Sequence, residues 1–166
     1  SVTYEAAEKK VKSSNQKSEK VFAKYNLGKP YLLYVGNLYP HKNVPFLIKA
    51  LTKSNTISEH KLTLAITCAR NAFSNSITAD KYIKPLGYVN DGDLSVLYSQ
   101  SLALVQPSLI EGFGLTGLEA MNNNTPVLSS NATCLPEIYG NAALYFDPKN
   151  EEDLIDKIEQ ILTNNK

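Results

Sequence analysis

Residues 107–121 read Pro-Ser-Leu-Ile-Glu-Gly-Phe-Gly-Leu-Thr-Gly-Leu-Glu-Ala-Met and concentrate the chemistry of the chain. Gly112 and Gly114 stand in a loop between an apolar run that reads as a strand and a segment that reads as a helix. Glycines there let backbone N–H groups approach a ligand closely, and a helix N-terminus offers unpaired donors to an anion. This is phosphate-binding geometry, reached without a Walker lysine or a G-x-G-x-x-G signature. Two carboxylates bracket the loop. Glu111, before the helix and near the phosphate end, can accept hydrogen bonds from sugar hydroxyls. Glu119, within the helix, can hold a ribose diol, as acidic residues do in nucleotide-binding folds. As isolated glutamates, the two read more blandly as a helix-start carboxylate and a solvated helix residue.

The elements that must position this loop alternate along the chain. Val21, Phe22 and Tyr25 share a helical face, with Gly28 as the expected stop. Residues 31–36 form an aromatic, β-branched run that reads as a buried strand. Asn43 is placed to cap a helix with Pro45 in its first turn and Val44, Leu47, Ile48 and Leu51 facing inward. Further strands are expected over 62–67, within 82–89, and over 102–106, 125–129 and 143–146. Asn90 or Asp91 should cap a helix with Leu94, Leu97 and Tyr98 inside, and another helix should span about 115–122. In the last helix Asn150 is the cap and Glu151, Glu152 and Asp153 suit the macrodipole, while Leu154, Ile158, Ile161 and Leu162 form the buried stripe. The fold class is therefore α/β: a Rossmann-like, doubly wound parallel sheet of about six strands with helices on both faces. Ligands of such sheets sit at the carboxyl ends of the strands, near the topological switch. Residues 1–16 read as a linker or exposed N-terminal segment and 17–166 as one domain.

Composition narrows the partners. The chain has 166 residues, enough for one sizeable core, and 17 basic against 16 acidic residues give a net charge of +1. That balance argues against nucleic acid or an anionic membrane as the main partner. Cys68 and Cys134 have neither metal-binding nor redox spacing and read as small core or near-core residues of a reducing compartment. With neither an apolar span nor a signal-peptide pattern, the expectation is cytoplasmic, with at most peripheral membrane attachment through another region.

Several stretches together resemble the C-terminal, donor-binding domain of retaining glycosyltransferases of family 4 (group 1), which have the GT-B fold. They are YVGNLYPHKN (34–43), LGYVNDGDL (86–94), QPSLIEGFGLTGLEAM (106–121), PVLSS (126–130), LPEIYGNAALYFDP (135–148) and the closing helix, in order over about four fifths of the chain. The resemblance makes Glu111 and Glu119 the paired E-x7-E glutamates, with Glu111 on donor-sugar hydroxyls and Glu119 on the ribose. It gives Gly112, Phe113, Gly114 and Leu115 to the loop whose amides face sugar or phosphate. Lys42 would neutralise the leaving diphosphate, where fixed positive charge is most useful, and Gly36 would open its loop. The nucleobase would lie against the backbone of Tyr88 and Val89, although Tyr88 reads equally as a core aromatic. The resemblance implies no metal and no cofactor beyond a UDP- or GDP-type sugar as donor substrate. An N-terminal acceptor-binding domain, in cis or in trans, would be a separate part, so the chain reads as a fragment inactive on its own.

Departures from the family pattern matter. Asn37 stands where an arginine often gives the diphosphate a second cation, so the clamp would rest more heavily on Lys42. Arg70 could help, but reads more simply as a solvated loop residue. Asn124 stands where glycine is usual, and it is the next best residue for a left-handed helix stop. His41 either lines the site or packs its own loop, and His60 reads as exposed. Base specificity would lie near 70–80 and 88–90. A non-catalytic nucleotide- or sugar-binding module on the same fold is the alternative, and a structural domain that has lost its site is a third reading.

Overall fold

The computed structural model describes residues 15–68 and 77–164. Most of the expected linker over 1–16, Arg70 and the greater part of 70–80 lie outside the described residues.

Six parallel strands form one sheet: β1 (Tyr31–Val35), β2 (Thr63–Thr67), β3 (Ile83–Gly87), β4 (Ala103–Gln106), β5 (Val127–Ser130) and β6 (Ala143–Phe146), in the order β3-β2-β1-β4-β5-β6. The central strand explains the architecture. Leu32 and Tyr34 enter one core while Tyr31 and Leu33, which point the other way, enter a second. Both faces are apolar, so both must be covered. Helices α2 (Val44–Lys53) and α7 (Glu151–Asn164) cover the first face with Leu47, Leu51, Leu154 and Ile158. The second is covered by α1 (Asn15–Tyr25), α4 (Asp91–Gln100), α5 (Leu115–Asn122) and α6 (Leu135–Tyr139), through Val21, Leu97, Tyr98, Ala120 and Leu135. The short α3 (Thr56–Glu59) precedes β2.

From β1 the chain winds outward to β2 and β3, then returns to begin β4 on the opposite side of β1. The segment after β1 leads to α2 on one face, and the segment after β4 leads to α5 on the other. Two loops that part in this way leave a crevice at the carboxyl ends of their strands, the usual ligand position in such sheets.

Most of these expectations hold, with three corrections. Helix α1 stops at Asn26, which takes φ +47 while the Leu27 N–H reaches the Phe22 carbonyl at 3.0 Å, so Gly28 is not the stop. Asn43 precedes α2 without a side-chain cap: its backbone is left-handed at φ +58 rather than extended as a cap requires, and its side-chain amide donates to the Pro148 carbonyl at 2.9 Å. His60 is half-buried and lies 3.4 Å from Glu159 rather than standing free in solvent. Asn90 does cap α4 by accepting from the Asp93 N–H, and Asn150 caps α7 by accepting from Glu152 and Asp153. Cys68 is buried and Cys134 half-buried, both as free thiols. Among the described residues no helix is long and apolar enough to cross a membrane.

Candidate functional site

The wall of the crevice on the β1 side is a tight loop. Gly36 adopts φ +147 with its N–H on the Thr67 carbonyl, and the Tyr34 hydroxyl donates to the Asn37 carbonyl at 2.5 Å. A Cβ at Gly36 would lie 3.2 Å from that hydroxyl, so the turn is cramped as well as left-handed. A 3-10 turn over Pro40–Lys42 follows and delivers Lys42 at its end. The two walls are joined through the backbone, since the Leu109 N–H donates to the His41 carbonyl at 2.8 Å.

Glu111 is the hub of the opposite wall. Lys42 Nζ lies 2.8 Å from Oε1 and 2.7 Å from Oε2, with the two side chains only 18% and 12% exposed. Gln106 Nε2 and Ser108 Oγ also donate to Oε2, at 3.0 and 3.1 Å. Burial pushes the Glu111 carboxyl upward, but hydrogen bonds from Lys42 and Gln106, the Lys42 charge and Ser108 outweigh it and hold the group below its ordinary range. Its peptide is gripped too. Thr133 Oγ1 accepts from the Glu111 N–H at 3.1 Å and donates to the Glu111 carbonyl at 3.3 Å, while Cys134 Sγ donates to the same carbonyl. Thr133 itself sits at φ +51, a left-handed conformation that a β-branched residue seldom adopts.

Gly114 stands just before α5 at φ +83 and, with Gly117, makes room for Tyr139. The Tyr139 hydroxyl faces Gln106 Oε1 at 2.7 Å and the Gly114 carbonyl. A Cβ at either glycine would stand 2.3 Å from that hydroxyl oxygen. Tyr139 therefore braces the start of the helix from beneath and orients Gln106 toward Glu111.

Val35, Gly36, Asn37, Lys42, Glu111, Phe113, Gly114, Leu115 and Thr116 line one cavity of about 200 Å³ in this crevice. The first N–H groups of a helix have no partner within it, and α5 starts at Leu115 on this wall. Cation, carboxylate, glycine loop and helix start thus face a common space. The other candidates do not line it. Glu119 lies one turn along α5, half-buried, and accepts from the Tyr98 hydroxyl at 2.9 Å. His41 is exposed beside Tyr39 and gives its carbonyl to the loop, and Gly112 is exposed. Tyr88 is 72% exposed rather than part of the core, and Val89 packs into the core. Asn37 Oδ1 accepts from the Tyr39 N–H at 3.3 Å. Gln106, Ser108, Thr133 and Tyr139 join the site without being marked by residue type in the sequence. Gln106 and Ser108 flank Pro107 beside the loop, but nothing local marks Thr133 or Tyr139 as its supports.

Comparison with known proteins gives one answer. The chain is 38% identical over 143 residues to an O-antigen chain mannosyltransferase B of Escherichia coli, covering 81% of this chain and 37% of that protein. It is 33% identical over 181 aligned residues to the O-antigen chain mannosyltransferase RfbU of Salmonella typhimurium, covering 96% and 50%. The chain thus spans half or less of these relatives' length. Among solved structures, the C-terminal domain of a group 1 family glycosyl transferase (LpcC) from Francisella tularensis superposes with a TM-score of 0.70 at 19% identity, over 93% of this chain and 85% of that one, which is a likeness of fold. The family model described as "Glycosyl transferases group 1" matches residues 15–166, including every wall of the crevice, and the chain belongs to that family.

Proposed function

We propose that this chain is the donor-holding domain of a retaining, metal-independent glycosyltransferase of family 4, with the GT-B arrangement. It would hold a nucleoside-diphosphate sugar for transfer to an acceptor bound by a separate N-terminal domain. The observation that carries this reading is the shared cavity at the switch point: Lys42 on one wall, and the glycine loop and start of α5 on the other. A diphosphate there would meet a cation and helix-start amides together, the arrangement that stabilises a leaving group gaining negative charge. Glu111 would take the sugar hydroxyls and Glu119, one turn further along α5, the ribose. The names of the two bacterial relatives favour mannose as the sugar. Retention draws no support from a pair of carboxylates in this domain, and Glu111 is assigned to sugar positioning rather than nucleophilic attack.

Calorimetric titration of the chain with GDP, UDP, GDP-mannose and UDP-glucose tests the reading. One nucleotide series should bind. Lys42→Ala should weaken it roughly 10- to 100-fold, the usual cost of a lost charge-assisted hydrogen bond, and Glu119→Ala should weaken the nucleoside ligands but not pyrophosphate. Silence toward every ligand at millimolar concentration refutes it.

A further inference from the structure

The donor-site reading leaves an electrostatic conflict unresolved. The cation assigned to the diphosphate is already engaged, because both oxygens of Glu111 lie within 2.8 Å of Lys42 Nζ. An ammonium has three protons to donate, and both oxygens of the carboxylate already draw on them. An anion arriving beside Lys42 therefore meets a cation turned toward a carboxylate of the anion's own sign, on the same cavity of about 200 Å³. Half-buried charges feel each other more strongly than solvated ones.

We propose that Glu111 is an internal competitor for Lys42, which makes the site prefer a sugar-bearing diphosphate to a bare one. The inference rests on the donor-site reading and extends it to selectivity. The asymmetry between the two oxygens supplies the mechanism. Oε2 accepts from Lys42, Gln106 and Ser108, whereas the bond from Lys42 is the one seen at Oε1. When Lys42 turns to a phosphate, Gln106 and Ser108 still hold Oε2 and Oε1 loses its partner. A donor sugar can restore that loss with a hydroxyl; a bare diphosphate cannot. After transfer the sugar is gone, Oε1 is again unpaired, and the carboxylate recaptures Lys42 and loosens the diphosphate. The same side chain thus favours donor entry and product exit.

The test compares pyrophosphate, GDP, UDP and their sugars by calorimetry on the wild-type chain, Glu111→Gln, Lys42→Ala and Glu159→Gln. Glu111→Ala is the second charge-removing variant should the amide disturb the fold, and circular dichroism checks each. Glu111→Gln should tighten pyrophosphate and the nucleoside diphosphate roughly three- to tenfold while leaving the sugar donor unchanged or weaker. Glu159→Gln, which removes a negative charge from α7 on the first face of the sheet, should change neither. If Lys42→Ala weakens the diphosphates but Glu111→Gln fails to tighten them, or Glu159→Gln tightens them equally, the competitor role is overturned and the donor site stands. If Lys42→Ala changes nothing, the donor site itself falls.

Discussion

At residue 111 a single carboxylate meets an ammonium, an amide and a hydroxyl, while Thr133 grips its peptide from both ends. Its folded-state pKa lies below the ordinary value of 4.5. A depressed carboxylate stabilises the fold at pH values above the unfolded pKa, and that contribution is lost as pH falls through the folded one. Denaturant melts from pH 7 down to pH 3 should therefore show wild type losing stability faster than Glu111→Gln below about pH 4.5; parallel curves would show that the pair contributes nothing to folding. The other residue-scale constraint is steric. Gly117→Ala should cost about 3 kcal/mol, near the top of the usual overpacking range, because the new methyl would lie 2.3 Å from Tyr139. Combining it with Tyr139→Ala should destabilise by less than the sum of the single changes, since the second substitution removes the obstacle. The sequence shows why Glu111 is chemically interesting, but not its partners: Lys42 lies 69 residues away, and only the winding of β1 and β4 brings them together.

Elements were legible wherever periodicity was strong and ends were marked by local chemistry. The stripe of α7 and its Asn150 cap were evident because cap and stripe both depend on near neighbours. The turn at Asn124, expected from the family's usual glycine at that place, is present: it takes φ +56 and the Thr125 N–H returns to the Ala120 carbonyl at 2.9 Å. Asn124→Ala should cost about 1–2 kcal/mol, the penalty for a side chain without asparagine's tolerance of that region, while Asn124→Gly should cost much less. Equal losses in thermal melts would mean that the asparagine amide, not the backbone conformation, matters there. Legibility failed where a distant contact claimed the signalling residue. Asn43 has a cap's identity, but its backbone is left-handed and its side chain turns to Pro148. Gly28 has a stop's identity, but burial of Leu27 turns the chain two residues sooner.

For the molecule as a whole, strand order decides where a ligand can sit. Fold class, the six strands and the parallel sheet follow from alternation of apolar runs with amphipathic segments. The crevice needs one more fact, that β4 lies beside β1, which the strand order supplies and periodicity does not. The amino-terminal edge of the sheet has a cavity of its own beside Pro30, Leu102 and Asn124, of about 420 Å³, so cavity size alone does not choose between the two ends. Amide chemical shifts of the isotope-labelled chain, followed during titration with the nucleoside diphosphate, choose directly. The largest shifts should fall at Gly36, Asn37, Gly114, Leu115 and Thr116, and should vanish in Lys42→Ala. Shifts centred instead on Ser101, Leu102 and Asn124 would rule out a donor site in the crevice.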